Sequence, residues 1–79
     1  MNIRFLKFYP DRNTDAKPRH EVNIYIPDDN VVRFYSWMSE KQVEYWVNSE
    51  QGGLLFVNST EASQNEILKY LRDVYYLSV

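Results

Sequence analysis

The chain has 79 residues, 44% of them hydrophobic and 16% aromatic, and it carries a formal net charge of −2. This length predicts a single domain, residues 1–79, with room for only a small core. The lack of cysteine excludes disulfides and thiolate metal sites, the lack of a long apolar stretch excludes a membrane span, and the mild acidity disfavours a general nucleic-acid binder.

Charge is distributed unevenly along the chain. Residues 1–20 hold five basic and two acidic side chains, whereas residues 21–79 hold four basic and nine acidic ones. Arg4 and Lys7 interrupt the apolar residues at the N-terminus, so we expect no signal peptide and a cytoplasmic protein.

The N-terminal segment predicts a strand followed by a polar loop. Residues 2–9 are rich in β-prone side chains, and Pro10 ends the strand because proline cannot donate to a sheet ladder. Residues 11–20 have no hydrophobic period and predict an exposed loop. The basic side chains of this loop are a candidate contact site: Arg12, Lys17 and Arg19.

Residues 21–35 predict a β-hairpin. Apolar side chains alternate with polar ones before a turn at 27–30, in which Asn30 suits a left-handed conformation. The favoured register pairs three sets of inward side chains: Val22 with Ser36, Ile24 with Phe34, and Ile26 with Val32.

The middle of the chain carries two competing patterns. Read as a helix, Ser39 and Gln42 form a capping box, while Met38 and Val43 form a hydrophobic staple. Read as a strand, β-prone side chains alternate: Val43, Tyr45 and Val47. Because several terminal signals agree, we predict a helix over 38–50 and keep the strand as the alternative.

The C-terminal part predicts a short strand and a long amphipathic helix. Residues 54–57 form a brief apolar run typical of a buried strand. The helix is predicted over 58–76, with N-cap candidates in the run Asn58, Ser59, Thr60 and Glu61, where Glu61 can reach back to Asn58 as in a capping box. Its apolar stripe follows helical spacing: Ile67, Leu68, Leu71, Val74 and Tyr75.

These elements predict an α+β fold in the order β-β-β-α-β-α. Two amphipathic helices would cover one face of a mostly antiparallel four-stranded sheet, giving two layers. If the middle segment is a strand, the alternative is an antiparallel β-meander followed by one C-terminal helix.

The usual signatures of catalysis or cofactor binding do not occur. His20 is the only histidine, and it has no cysteine or second histidine with which to hold a metal. The residues at 28–30 lack the spacing of a calcium loop, and Gly52 with Gly53 lacks the lysine of a phosphate loop. We therefore predict no metal, no cofactor and no enzymatic activity.

One set of residues carries a binding hypothesis. The predicted hairpin would expose an aromatic and arginine surface on the outer sheet face: Tyr25, Arg33, Tyr35 and Trp37. Tyrosine, tryptophan and arginine are enriched at the energetic centres of protein interfaces. The same residue types on a sheet can stack nucleic-acid bases, so a single-stranded nucleic-acid-binding domain is the alternative function.

We therefore expect a small, non-enzymatic protein-binding module. Its acidic body would suit a basic, nucleic-acid-handling partner. In size, acidity and aromatic content the chain resembles small inhibitor proteins of phages and mobile elements, such as anti-CRISPR and anti-restriction proteins. That resemblance implies inhibition of a host defence or nucleic-acid-processing protein, without assigning a role to any residue. Exposed aromatics and free sheet edges also favour a homodimer.

Overall fold

A computed structural model describes residues 2–75 of the chain. Within them, four strands and two helices follow the order β-β-α-β-β-α. Their bounds are β1 Ile3–Phe8, β2 His20–Ile26, α1 Asp28–Glu40, β3 Tyr45–Asn48, β4 Gly53–Phe56 and α2 Glu61–Tyr75.

The four strands form one mixed sheet in the order β2-β1-β4-β3. β1 pairs antiparallel with β2, and β3 pairs antiparallel with β4. The two antiparallel pairs meet in the middle of the sheet, where β1 and β4 run parallel. Because two of these three pairings are antiparallel, the predicted α+β class with a mostly antiparallel sheet is confirmed.

Both helices lie on one face of the sheet and enclose the core against it. The buried sheet residues are Ile3, Leu6, Phe8, Val22, Ile24, Ile26, Leu54 and Phe56, and the buried helix residues are Val31, Phe34, Met38, Ile67, Leu68 and Leu71. The helices also contact each other, since the ring of Tyr70 lies 4.2 Å from that of Trp37 and 6.0 Å from that of Phe34. The domain therefore has the two predicted layers.

The hairpin predicted over residues 21–35 is wrong, because its second arm is helical. β2 pairs instead with β1, so that Val22 lies opposite Leu6. Asp28 and Asp29 occupy the first turn of α1, where carboxylates stabilise the positive end of the helix dipole. The buried residues of α1 follow the three-to-four spacing of a helix: Val31, Phe34 and Met38.

The helix predicted over 38–50 is also wrong, because α1 ends where that helix would begin. The N–H of Gln42 donates to the Ser39 carbonyl, and the N–H of Val43 donates to the Met38 carbonyl. Gln42 adopts a left-handed conformation with φ of 58°. This combination is a Schellman helix stop. Met38 and Val43, interpreted from the sequence as the staple of a helix start, therefore belong to a helix end.

After this stop, β3 and β4 form an antiparallel pair that runs from Tyr45 opposite Phe56 to Asn48 opposite Gly53. The turn between them closes with the Gly52 N–H donating to the Asn48 carbonyl at 2.8 Å. The strand alternative thus describes the backbone at Tyr45 and Val47. The complete β-meander is wrong, since residues 28–40 form a helix.

The C-terminal helix is confirmed, and its cap lies within the predicted run. Thr60 precedes α2 and exchanges two hydrogen bonds with Ser63: the Ser63 N–H donates to Thr60 Oγ1, and the Thr60 N–H donates to Ser63 Oγ, each at 3.0 Å. Asn58 lies before this cap in a left-handed conformation with φ of 51°. Thr60 is therefore the cap among the predicted candidates, whereas the capping box of Asn58 with Glu61 is wrong, because Ser63 is the reciprocal partner.

The predicted apolar stripe of α2 is confirmed at its centre. Ile67, Leu68 and Leu71 are buried in the core, and Val74 is half-buried. The side chain of Tyr75 and the predicted helix end at Tyr76 lie outside the described residues.

The helix stop at Gln42 generates the first prediction. A residue with a Cβ is disfavoured in the left-handed conformation, so Gln42→Gly should raise the free energy of unfolding by about 1 kcal/mol. Urea denaturation measures the change.

A matched control is Gln64→Gly, within α2, which should lower stability by about 1 kcal/mol because glycine is unfavourable inside a helix. A Gln42→Gly variant less stable than the parent would contradict the assigned helix stop.

Candidate functional site

The structure separates the four residues of the predicted contact surface. Tyr25 lies on β2 and is 60% exposed. Arg33, Tyr35 and Trp37 lie on α1, in the other layer. The prediction that the four share one sheet face is wrong, because a helix replaces the expected second hairpin strand. Their role in binding stays a prediction.

Tyr35 and Trp37 are half-buried by neighbouring rings. The ring of Tyr35 lies 5.8 Å from that of Tyr45, and Trp37 stacks on Tyr70. The Tyr35 hydroxyl is buried without a hydrogen-bond partner among the described residues. Burial raises the pKa of Tyr35, and the neighbouring Tyr45 adds to this rise. Both side chains thus contribute to packing between elements.

Two of the three basic side chains in the loop between β1 and β2 bind acceptors elsewhere in the chain. Arg12 donates from Nε and Nη2 to the two carboxylate oxygens of Glu44, at 3.0 Å each. Arg19 donates from Nη2 to the Ser59 carbonyl at 3.3 Å. Lys17 is exposed. The structure therefore directs Arg12 and Arg19 to acceptors within the chain, where they fix the loop.

The sheet has a second face, opposite the helices, which no described element covers. Its side chains alternate with the buried ones along each strand. We call the following five residues the open face: Phe5 and Lys7 on β1, Tyr25 on β2, Trp46 on β3, and Leu55 on β4. Lys7 lies opposite Leu55, which lies opposite Trp46, so three strands contribute one row. Trp46 is 44% exposed, and Phe5 and Leu55 are half-buried.

The centre of the open face depends on a glycine. A Cβ added to Gly53 would overlap the ring of Phe5, so only glycine leaves room for this ring against the sheet. Lys7 Nζ lies 5.2 Å from the centroid of the same ring, within the range of a cation–π contact. The register places Glu21 opposite Lys7. Three of the five open-face residues are therefore aromatic and one is a cation, with Glu21 beside that cation on the neighbouring strand.

Sequence reasoning missed four of the five members of the open face, including Lys7. Phe5, Trp46 and Leu55 come from three separate strands, and each was interpreted only within its own segment. A signal existed for Trp46, which alternates with Tyr45 and Val47 in the strand pattern. The parallel pairing of β1 with β4, which brings Phe5 beside Gly53, has no local signal in the sequence.

A cleft of about 250 Å³ lies between the end of α1 and the first turns of α2. Its floor includes Trp37 and Phe56. At its rim, Lys41 Nζ lies 3.5 Å from Glu66 Oε1. Glu44, also at the rim, is held by Arg12 and by Asn58, whose Nδ2 donates to Glu44 at 3.0 Å. Lys41 and Glu66 thus pair at the rim, while the Glu44 carboxylate is paired with Arg12.

Comparison of the chain with known protein families, with characterised proteins and with solved structures found no match. Among residues 2–75, neither helix has the length and apolar character needed to cross a membrane. The same part of the chain contains no cluster of histidine, cysteine or carboxylate side chains that could hold a metal ion. The proposals below therefore rest on the chain itself.

The contact between Phe5 and Gly53 generates a prediction for the open face. Gly53→Ala should push the Phe5 ring off the sheet and lower the free energy of unfolding by about 1–3 kcal/mol, as expected for overpacking. In a Phe5→Ala background the same substitution should cost much less, since the overlapping ring is gone.

Urea denaturation of the parent, the two single variants and the double variant gives the coupling free energy. Additive effects of the two substitutions would contradict the contact.

The ion pair between Arg12 and Glu44 predicts a pH dependence of stability. Hydrogen bonding to Arg12 lowers the pKa of Glu44 in the folded chain below its ordinary value of 4.5. The pair therefore stabilises the fold above pH 4.5, and this contribution is lost as pH falls through the lower pKa of the folded state. Glu44→Gln should be less stable than the parent at neutral pH, with a difference that disappears in acid.

The control is Glu40→Gln, since Glu40 has no ion-pair partner among residues 2–75. Thermal unfolding across the acidic range measures both variants. A Glu44→Gln difference that persists after the carboxylate is protonated would contradict the electrostatic origin of the effect.

Proposed function

We propose that the chain is a small, non-enzymatic protein-binding module that contacts its partner through the open face. The observation that carries this proposal is an uncovered sheet face bearing Tyr25 and Trp46 at high exposure around half-buried Phe5 and Leu55. Large aromatic side chains give much contact area at a low cost in side-chain entropy. They are therefore frequent at the centres of protein interfaces.

The arrangement of apolar and polar groups supports a protein partner. Phe5 and Leu55 lie on the two central strands, while Tyr25 and Trp46 lie on the two edge strands. The least exposed apolar groups thus occupy the middle of the face, with more accessible aromatic rings around them. Protein interfaces commonly have this organisation, in which a desolvated centre is surrounded by a partly solvated rim.

The charges favour protein over single-stranded nucleic acid. Lys7, the one cation of the open face, lies over the Phe5 ring and has Glu21 opposite it in the β1–β2 pairing. Arg12 and Arg19 are bound to Glu44 and Ser59 and do not extend toward this face. A nucleic-acid surface needs several cations free to meet phosphates, whereas the five residues of the open face include one, Lys7.

The acidic balance of the chain favours a partner with a basic surface. The full sequence has eleven acidic side chains and nine basic ones. Complementary charge accelerates association and excludes wrong partners. We therefore propose a basic host protein, such as one that handles nucleic acid, as the partner, with inhibition by a phage or mobile-element protein as the biological setting.

The proposal predicts a face-specific loss of binding. The immobilised parent should capture a partner from a bacterial lysate, identified by quantitative mass spectrometry. Tyr25→Ala combined with Trp46→Ala should abolish this capture, because the two side chains supply the most exposed aromatic area of the open face and belong to the residue types enriched among interface hot spots, whose truncation costs about 2 kcal/mol or more. Calorimetry with the purified partner should then show an affinity at least about tenfold weaker.

The matched control is Val32→Ala, which removes an apolar side chain that is 69% exposed on the opposite layer. This variant should capture the partner as the parent does. Equal capture by the open-face variant, or loss of capture in the control, would contradict the proposed surface.

The nucleic-acid alternative is tested on the same face. The chain has two tryptophans, so Trp37→Phe leaves Trp46 as the only one. Its emission should not change when short single-stranded DNA is added at low salt. Quenching that disappears at high salt would instead support base stacking on the open face.

A further inference from the structure

We propose that two copies of this chain associate through β2, which pairs antiparallel with β2 of the second copy so that Asn23 lies opposite Asn23. The interface uses the outer edge of the sheet, whereas the proposed partner protein contacts the open face. This inference therefore does not depend on the proposed function.

β2 is the longest strand of the sheet, with seven residues, and it lies at the edge. One side of β2 pairs with β1, and no strand within residues 2–75 pairs with the other. Alternate residues of such an edge direct N–H and C=O groups outward, ready to pair with another strand. The opposite edge of the sheet is β3, which has only four residues.

Natural edge strands usually carry features that prevent pairing, such as lysine, proline or a bulge that bends the edge away. Between His20 and Ile26, β2 contains neither lysine nor proline. Its pairing with β1 is regular from Asn23 to His20, a register shift against β1 lies between Asn23 and Ile26, and Pro27 comes only after the strand ends. Side chains nevertheless alternate between buried and exposed up to Ile26, so β2 remains a strand beyond the shift, and its most regular template runs from His20 to Asn23.

The sequence of β2 is complementary to itself in one register. Asn23 is the central residue of the seven, so antiparallel pairing about Asn23 uses the whole strand. Side chains of the same face then meet across the junction, as sheet geometry requires. The resulting pairs are Asn23 with Asn23, Val22 with Ile24, Glu21 with Tyr25, and His20 with Ile26.

Each pair suits the face on which it lies. Val22 and Ile24 are each 9% exposed at the edge of the core, and their pairing would join the two cores. On the other face, two asparagine amides can exchange hydrogen bonds, because each has a donor and an acceptor.

The position of the Glu21 carboxylate also favours pairing about Asn23. Glu21 is the only acidic residue of β2. Pairing about Asn23 sets it against Tyr25 and keeps the two Glu21 carboxylates four positions apart. Pairing about Glu21 itself would oppose the two carboxylates directly, and like charges in that position are destabilising.

The dimer would contain one continuous sheet of eight strands. Its two-fold axis would run perpendicular to the sheet, so the open faces of both copies would lie on the same side. A partner with two equivalent contact sites could then engage both copies at once.

The register predicts a specific disulfide. The chain has no cysteine, so Asn23→Cys introduces the only thiol. Residues directly opposite in an antiparallel pair have Cα atoms about 4.5–5.5 Å apart, which falls within the range of disulfides. We expect Asn23→Cys to form a covalent dimer under mild oxidation, seen by non-reducing electrophoresis and reversed by a thiol reductant.

The matched control is Tyr25→Cys, on the same strand and the same face. In the proposed register its two thiols are four residues apart along the strand, about 13 Å, which is too far for a disulfide. Cross-linking of Tyr25→Cys as fast as Asn23→Cys would overturn the register.

Sedimentation tests the non-covalent dimer. The parent should dimerise with increasing concentration, and Asn23→Lys should weaken the dimer at least about tenfold by opposing two cations. Asn65→Lys, the same change on the exposed side of α2, should leave it intact. A parent that stays monomeric at every concentration, or a dimer that Asn23→Lys does not weaken, would overturn the proposal.

Discussion

The parallel pairing of β1 with β4 holds the domain together. Within residues 2–75 it is the only strand pairing between the two antiparallel units, β1 with β2 and β3 with β4. Parallel strands cannot be joined by a tight turn, so the chain between them must make a crossover. α1 forms this crossover and, together with α2, covers one face of the sheet. The stack of Phe8 on Phe56, with ring centroids 4.8 Å apart, reinforces the pairing from the core side.

The same pairing organises the loops at the end of the two central strands. The Tyr9 N–H donates to the Phe56 carbonyl, and the Ser59 N–H donates to the Tyr9 carbonyl. Arg12 and Arg19 then attach the loop after β1 to Glu44 and Ser59. Arg12 and Arg19, which the sequence predicts as candidate contact residues, therefore hold the loops at one end of the sheet together. These polar contacts lie at that end of the sheet, whereas the open face carries mainly aromatic side chains.

The sequence predicts those elements whose patterns have a single interpretation. The stripe of α2 fits a helix, whereas β1 is a β-prone segment of six residues and β4 an apolar one of four, both too short for an amphipathic helix. Residues 31–38 are different, because Phe34 belongs both to the helical set Val31, Phe34 and Met38 and to the alternating set Val32, Phe34 and Ser36. Tertiary packing decides between them, since the central strands need a covering helix. Met38 and Val43 are similarly ambiguous, because apolar pairs accompany both helix starts and helix stops.

The open face could be predicted only in part, because the environment of an aromatic side chain is set by the element that carries it. Tyr25 and Tyr35 looked equivalent when both were placed on a hairpin. On β2, Tyr25 points away from both helices and stays exposed. On α1, Tyr35 turns toward Tyr45, where its hydroxyl is buried and burial raises its pKa. Phe5 and Trp46 gain their positions through strand pairings that link distant segments. Residue type therefore indicates that a contact surface exists, and sheet topology determines which side chains form it.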